Sequence, residues 1–559
     1  GLLDMNKNFA RASGRFQLEC YKEEIEANLR TPGLAGFQLL DLHDYTGQGT
    51  ALVGLLDPFW ASKGYTTPEE FTKFCNTVVP LARLKKRIFT PRDPFEAVIE
   101  IANYGEYALT NAAINWEIRK ANGNTVERGA FPTTTIPIGK GTAIGEVFAD
   151  LSKLTAPGAY KLVVHIGRQP VPSNPEQTPI EFENDWNFWL YPSHISDEVP
   201  ASVLVTHSWS DAEKRLAGGG KVLFLPLNED LDWESPPLAR TPIFWNALMG
   251  PTWSRMLGLW CETNQPALAE FPTEPNCDWQ WTDLLRTTRA INLDKLPRQL
   301  QPIVWAIDDW NRNYKLGVVF EARLGTGKLM VCSADLDSDS SPIARQLRHS
   351  LLSYMAGEKF QPSTEISAGD FESLHFDTRI MRKLGASALA DGSRADDIID
   401  GDPNTFWSSA DAIRGRASLP VRQHARQNVP AGFPHEIEIS FPGPVLMNGL
   451  VLMPRQNQRE HQGDIREFKV QISHDGGASW ADVATGQLAS TFDEQKILFG
   501  KTVDANKLKL IALSGFGSDQ STSIAELAII YAGPILVGSD SGDFKYKNVH
   551  TASPDIDAQ

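Results

Sequence analysis

Asp400-Gly401-Asp402-Pro403-Asn404-Thr405-Phe406-Trp407 is a run of turn-forming residues that ends on two aromatic ones. Asp and Asn bond their own backbone, Gly supplies unusual φ angles and Pro fixes φ, so the stretch reads as a loop feeding a strand. Further on, Phe468-Lys469-Val470-Gln471-Ile472-Ser473 alternates apolar and polar residues, and Asp475-Gly476-Gly477-Ala478-Ser479-Trp480 follows as a second turn. The last such run is Ala525-Glu526-Leu527-Ala528-Ile529-Ile530-Tyr531. Period-two alternation broken by Gly- and Asp-rich turns predicts a β-rich domain over 361–533. Trp407 and Trp480 each follow a turn directly, which predicts that both belong to its core. Residues 534–559 read as a polar, frayed tail.

Working outward, the chain changes character three times. Residues 1–84 open with Phe16, Cys20, Tyr21, Ile25 and Leu29 at three- and four-residue steps, a helix that Thr31-Pro32-Gly33 stops. Gly36-Phe37-Gln38-Leu39-Leu40 then reads as a buried strand that delivers Asp41-Leu42-His43-Asp44-Tyr45 into the loop Thr46-Gly47-Gln48-Gly49-Thr50. Helix, strand and polar loop in that order look like the last unit of a (β/α)8 barrel. Such a barrel needs about 250 residues, so the chain is expected to start inside a domain. Residues 85–197 carry Phe95–Ile101, Ala112–Ile118 and Tyr160–Ile166 as alternating runs, which predicts an antiparallel sandwich. Residues 198–360 alternate strands such as Val203–Val205 and Lys221–Leu225 with helices, one capped by Ser210 and one around Ile343–Met355. That order implies a mostly parallel sheet.

Bulk composition limits the function. A length of 559 residues implies several domains, and 42% hydrophobic with 22% charged residues is ordinary for folded protein. A net charge of −16 argues against nucleic acid and against docking on anionic membranes. No run approaches the length of a membrane span. Cys20, Cys75, Cys261, Cys277 and Cys332 show neither CxxC nor zinc spacing and read as free thiols.

The motifs Asp400–Trp407, Phe468–Ser473, Asp475–Trp480 and Ala525-Glu526-Leu527, in this order, resemble the discoidin fold of the coagulation factor 5/8 C-terminal type, carbohydrate-binding module family 32 in carbohydrate-active enzymes. The segments Ala12–Glu26, Gly36–Asp44 and Gly47–Gly54 look like the end of a family 2 glycoside hydrolase barrel. The remaining parts are similar to that group's immunoglobulin-like sandwiches and to the glutamine-amidotransferase-like domain of some β-galactosidases. The resemblance implies a multidomain, β-rich chain with an α/β part: a partial TIM-barrel end (1–84), an immunoglobulin-like β-sandwich (85–197), an α/β glutamine-amidotransferase-like domain (198–360) and a discoidin-like jelly roll (361–533). It implies a retaining, β-galactosidase-like parent, secreted, periplasmic or cell-surface in a bacterium. The His-Glu-x-Gly-Gln-Trp-like motif of the nucleophile is not in this sequence, so the catalytic carboxylates are expected in an N-terminal portion or a partner chain.

The site candidates follow. Asp41, His43, Asp44, Tyr45 and Gln48 sit where a barrel strand would end and are candidates for bonding sugar hydroxyls; local capping and turn bonding is the alternative. Asp400, Asp402, Thr405 and Glu526 match positions where discoidin relatives hold a structural Ca²⁺, although Asp-Gly-Asp also makes turns without a metal. Arg422, His424, Phe433, Arg455, Asn457, Arg459 and His461 are loop residues of the types that stack on and hydrogen-bond carbohydrate. Adjacent Glu23 and Glu24 diverge by about 100° on a helix and do not form a catalytic pair. Gly325-Thr326-Gly327-Lys328 fails the phosphate-loop frame and reads as a turn between strands, and Asp335, Asp337 and Asp339 fail the EF-hand frame. Two rival readings stand beside the hydrolase one: a non-catalytic glycan-binding or assembly protein, and an independent enzyme sited at His207 or Asp211 of the α/β domain.

Overall fold

The computed structural model describes residues 2–40, 42–45, 53–168, 182–196, 198–231, 235–240, 256–309, 313–337, 341–374, 380–401, 405–409, 432–456, 461–517 and 520–532. The chain divides into two compact units, Gly1–Asp377 and Thr378–Gln559. Among the described residues no helix is long and apolar enough to cross a membrane.

The first unit opens with helix α1 (Leu2–Arg30), which buries Ala12, Gly14, Phe16, Leu18, Ile25, Glu26 and Leu29. Arg30 in its last turn suits the negative end of the helix dipole, and Gly33 at φ +81° turns the chain away. The expected strand at Gly36–Leu40 does not form. Residues 34–39 take no regular structure, and Phe37 and Leu40 are 41% and 73% exposed. An apolar run becomes a strand only where another strand satisfies its N–H and C=O groups, and none pairs with it among the described residues. The loop that follows returns to α1 through Tyr65. Its ring lies where a Cβ on Gly14 would sit, and its hydroxyl donates to the Gly54 carbonyl at 2.9 Å. Short helix α2 (Pro68–Phe71) is capped by Thr67, whose hydroxyl accepts from Glu70 N.

Nine strands then make two facing sheets. They are β1 (Val78–Leu84), β2 (Ile88–Phe89), β3 (Phe95–Asn103), β4 (Leu109–Lys120), β5 (Thr125–Ala130), β6 (Thr134–Ile136), β7 (Gly139–Ala149), β8 (Gly158–Arg168) and β9 (Phe182–Leu190). One sheet runs β1-β3-β7 and the other β2-β9-β8-β4-β5, with β6 on β4. The alternating faces of β3 and β9 meet in one core containing Phe95, Ile99, Leu162, Trp186 and Phe188. The two sheets thus face each other as a sandwich, antiparallel but for the β2–β9 pair.

The third layer carries β10 (Val203–Thr206), α3 (Trp209–Ala217), β11 (Lys221–Phe224), β12 (Gly258–Cys261), α4 (Trp281–Leu285), β13 (Ile291–Asn292), β14 (Val304–Ile307), β15 (Lys315–Leu324), β16 (Gly327–Cys332), α5 (Pro342–Ala356) and α6 (Ala368–Glu372). Its sheet order is β10-β11-β16-β15-β14-β12, with β13 on β15. Only β10–β11 and β11–β16 pair in parallel, so the expectation of a mostly parallel sheet is corrected to a mixed one. The cause is local: Gly325-Thr326 is a two-residue turn that folds β16 back against β15. Helix α3 is capped by Ser208, which accepts from Asp211 N at 3.2 Å, and not by Ser210; Gly219 at φ +75° follows its end. Ile366, Phe371 and Leu374 pack into the same core as Phe224 and Phe320.

The second unit contains α7 (Ile380–Lys383) and β17 (Ser387–Ala390), β18 (Ser393–Arg394), β19 (Trp407–Ser408), β20 (His435–Met453), β21 (Ile465–Ser473), β22 (Ala481–Gln487), β23 (Gln495–Gly515), β24 (Ser523–Ile524) and β25 (Glu526–Tyr531). The main sheet runs β18-β17-β20-β23-β21-β22 with β25 on β20, and β19 pairs with β24. All these pairings are antiparallel. β20 and β23 shift register after Ser440 and again near Gly449, so each long strand bends and serves two stretches of sheet. Trp407 and Trp480 are only half-buried, and Lys509 Nζ stands 4.6 Å from the Trp480 ring centroid. Neither is the core residue that its position after a turn implied. The core includes the fully buried Ile437, Ile439, Leu450, Val470, Leu508 and Leu510.

All five cysteines are free, and Cys261, Cys277 and Cys332 are buried. Burial pushes the Cys332 thiol up to about 12, which suits packing and not reactivity.

Candidate functional site: the loop end of the second unit

Loops from four parts of the second unit meet at one end. Asp400 and Thr405 flank the turn of the first quoted stretch, and the Thr405 hydroxyl lies 3.0 Å from Asp400 Oδ1 and 3.1 Å from the Asp397 carbonyl. Gly401 N–H donates to Glu526 Oε1 at 3.0 Å. Glu526 opens β25 directly opposite Met453 of β20. The sheet register thus brings Glu526 to a turn 125 positions away.

Met453 leads into Pro454-Arg455-Gln456. The Arg455 guanidinium lies 3.8 Å from the centroid of the Phe406 ring, tying this loop to the Thr405 loop. The Gln456 side-chain amide donates to the Phe492 carbonyl at 2.9 Å. The Phe492 ring in turn stacks on His461, with centroids 4.0 Å apart and planes 24° apart. His461 sits at φ +51°, a region that non-glycine residues seldom occupy. Its Nδ1 lies 2.8 Å from Oδ2 of the buried Asp464, which fixes the ring. Nε2 has no hydrogen-bond partner among the described residues.

Phe433 borders the same corner. A Cβ on Gly515 would stand 2.9 Å from the Phe433 ring and 3.1 Å from the Asp464 carbonyl, so this glycine makes room for both. Behind Phe433 lies His435, fully buried, with Nδ1 2.7 Å from Asp391 Oδ2 and Nε2 3.0 Å from the Gln520 carbonyl. Burial works against its charge, but the Asp391 carboxylate and the Gln520 carbonyl outweigh it and hold the imidazole above its ordinary pKa. Both nitrogens face acceptors, so the ring donates twice as an imidazolium.

Of the residues singled out from sequence, the structure brings Asp400, Thr405, Glu526, Arg455, His461 and Phe433 to this end. Asp402, Arg422, His424, Asn457 and Arg459 lie outside the described residues. Sequence reading missed Phe406, Phe492 and Asp464; an aromatic beside an Asp-rich turn was the only signal for the first. Oxygen is the one donor type that Asp400, Thr405, Glu526 and the Asp397 carbonyl offer, which suits a hard cation. Among the described residues no group of three or more His, Cys, Asp or Glu converges as a metal site.

In the first unit, Asp44 is buried and its Oδ1 accepts from Gly54 N at 2.8 Å and from Lys63 Nζ at 2.7 Å. Such bonding fixes the loop. His43 is half-buried and Tyr45 is 36% exposed, while Asp41 and Gln48 lie outside the described residues. Glu24 is exposed and Glu23 pairs with Arg87 at 3.1 Å, so the two do not converge.

Three stretches of the chain match known families. Residues 384–527 match the F5/8 type C domain family. Residues 93–192 and 204–375 match two domains of unknown function, DUF8488 and DUF8487. A sialidase of Micromonospora viridifaciens is 29% identical over 143 residues, 26% of this chain and 19% of that protein. The chain therefore spans about a fifth of that relative's length. Among solved structures, the family 32 carbohydrate-binding module of Clostridium perfringens NanJ in complex with galactose is 20% identical, covering 26% of this chain and 94% of that one at a TM-score of 0.21. A module of the same type from a Clostridium perfringens family 31 glycoside hydrolase is 25% identical, covering 27% and 93% at a TM-score of 0.21. The second unit therefore carries an F5/8 type C domain over residues 384–527.

Proposed function

We propose that this chain is the carbohydrate-recognition part of a secreted, periplasmic or cell-surface bacterial glycoside hydrolase, and that the loop end of its F5/8 type C domain binds a glycan. The observation that carries this reading is the pair of ring-supported polar groups there, Arg455 on Phe406 and His461 on Phe492. A guanidinium donates to sugar hydroxyls, an imidazole nitrogen accepts from them, and flanking rings exclude water from both. The family match and the sialidase segment support a sugar as the ligand class.

The parent enzyme in this reading is family 2-like and retaining, with its two catalytic carboxylates supplied from outside this chain. His43 and Tyr45 would line one wall of its site, on the loop that Asp44 braces. Glycoside cleavage needs two carboxyl groups about 5–5.5 Å apart across the bond. Turnover of any nitrophenyl glycoside by this chain alone would sink that part of the proposal.

Ca²⁺ fits the loop end as a brace. Asp400, Thr405, Glu526 and the Asp397 carbonyl, with Asp402, would hold it, and it would pin the turn beside Arg455 without taking part in any reaction.

The test of glycan binding is a glycan array followed by calorimetry on the full chain. Arg455→Ala and His461→Ala are expected to lose binding while retaining the wild-type melting temperature. Unchanged affinity in both variants would overturn the assignment.

A further inference from the structure

A second aromatic surface lies in the first unit, between α1 and β1. Trp60 sits at φ +67°, a backbone region that bulky residues avoid. One aspartate enforces it. Asp57 Oδ1 accepts from the N–H groups of Phe59 and Ala61, both at 2.8 Å, and the Asp57 carbonyl accepts from Trp60 N at 3.0 Å. The Ala61 carbonyl accepts from Asp57 N at 2.9 Å and closes the loop. The result is that Phe59 is 88% and Trp60 61% exposed. Backbone strain and two large rings left in water both oppose folding, and the core gains nothing from either.

His43 is the neighbour that gives this surface a chemistry. Its ring lies 4.4 Å from that of Trp60, tilted by 40°. His43 Nδ1 is 2.6 Å from the Asp44 carbonyl. A carbonyl only accepts, so Nδ1 carries a proton, and in the neutral imidazole Nε2 is the acceptor. No described residue bonds that Nε2. The support behind it is rigid. Asp44 is locked by Gly54 and Lys63, and a Cβ on Gly54 would come within 2.3 Å of the His43 carbonyl carbon.

We infer that Trp60 and His43 form a pyranose-binding platform, separate from the loop end of the F5/8 type C domain. The C–H face of a neutral hexopyranose packs on the indole, and one ring hydroxyl donates to His43 Nε2. A nucleotide would need a free cation for its phosphate, and nearby Lys63 is already held by Asp44 and the Gly54 carbonyl. The inference rests on the proposed sugar ligand class and deepens the role given there to His43, but uses none of the loop-end residues of the F5/8 type C domain.

Binding of methyl β-D-galactopyranoside and methyl β-D-glucopyranoside to the full chain, read by saturation-transfer NMR and tryptophan fluorescence, tests this. Trp60→Gly removes the ring and relieves the positive φ, so its melting temperature should stay level or rise. The expected result is saturable binding of at least one probe that survives Arg455→Ala and falls by about tenfold or more in Trp60→Gly, as loss of one buried ring predicts. Equal binding by Trp60→Gly and wild type overturns the platform. So does the absence of any probe binding in Arg455→Ala. A change of sedimentation coefficient in Trp60→Gly without a change in sugar binding also overturns it and makes the surface a self-association face. The loop-end reading is tested apart from this one, by the loss of array glycans in Arg455→Ala and His461→Ala, so failure of either site leaves the other to be judged on its own variants.

Discussion

The indole N–H of Trp186 donates to Glu26 Oε2 at 2.9 Å across 160 positions of sequence. Glu26 is completely buried and also accepts from Asn184 at 2.8 Å, from Arg30 at 3.2 Å and from Lys22. Burial favours the neutral acid, but Lys22 and the hydrogen bonds outweigh it and hold the carboxyl below its ordinary pKa. This single group fastens α1 to β9 of the sandwich. The contact is fully satisfied, which is the condition under which a buried charge is tolerated.

Replacing Glu26 by Ala leaves Lys22 and Arg30 without their shared counter-charge and Trp186 without an acceptor. The expected loss is about 3–5 kcal/mol, the range for breaking a buried ion pair from one side. Guanidinium unfolding of the full chain measures it. A loss under about 1 kcal/mol would mean that the helix is held by its apolar face alone.

Lys73 bridges Glu183 and Asp185 at 2.7 Å each on the same sandwich. The His165 hydrogen bond, followed by Lys73, holds Glu183 down at about 2, and Lys161 with Lys73 holds Asp185 at about 2 against its burial. Both folded values lie below the unfolded ones of 4.5 and 3.8. Their stabilisation is therefore present above the unfolded values and disappears as pH falls toward 2. Lys73→Met should shift the midpoint of acid unfolding to higher pH, read by circular dichroism.

His435 titrates in the opposite sense. Its folded pKa is raised above the unfolded 6.5, so its contribution is complete below about pH 6.5 and is lost as pH rises through the folded value. The melting temperature of the second unit should fall as pH is taken from 6 to 9. His435→Asn should melt lower at pH 6 and lose that slope, and a slope unchanged in the variant would rule out His435 as its source.

Calcium should raise the melting temperature of the second unit, and a chelator should reverse the rise. Asp400→Ala and Glu526→Gln should abolish the response. A rise of the same size in both variants would show that the ion binds elsewhere.

Local signals carried part of the design. The apolar steps from Phe16 to Leu29 gave α1, the Gly325-Thr326 pair gave a hairpin turn, and alternation in Phe95–Ile101 and Phe468–Ser473 gave strands whose buried faces are as expected. Asp400, Asp402, Thr405 and Glu526 were named together only because the resemblance spanned both ends of the domain, and the structure joins Asp400 to Thr405 and Glu526 to Gly401 by hydrogen bonds. Gly36–Leu40 misled because its apolar content promised a strand, while forming one depended on a partner strand that the local sequence does not specify. Trp407 and Trp480 misled because following a turn says nothing about what packs above the ring.

What the sequence determines by itself is therefore what acts over a few residues: backbone preference, capping, turn geometry and the period of hydrophobicity. Which strand lies beside which is decided only when the chain closes on itself, as in the mixed order β11-β16-β15-β14. The same holds for Glu26 beneath Trp186 and for Arg455 on Phe406. Those contacts join residues whose separation along the chain carries no local signature, and their energies are realised only after the intervening segments have packed.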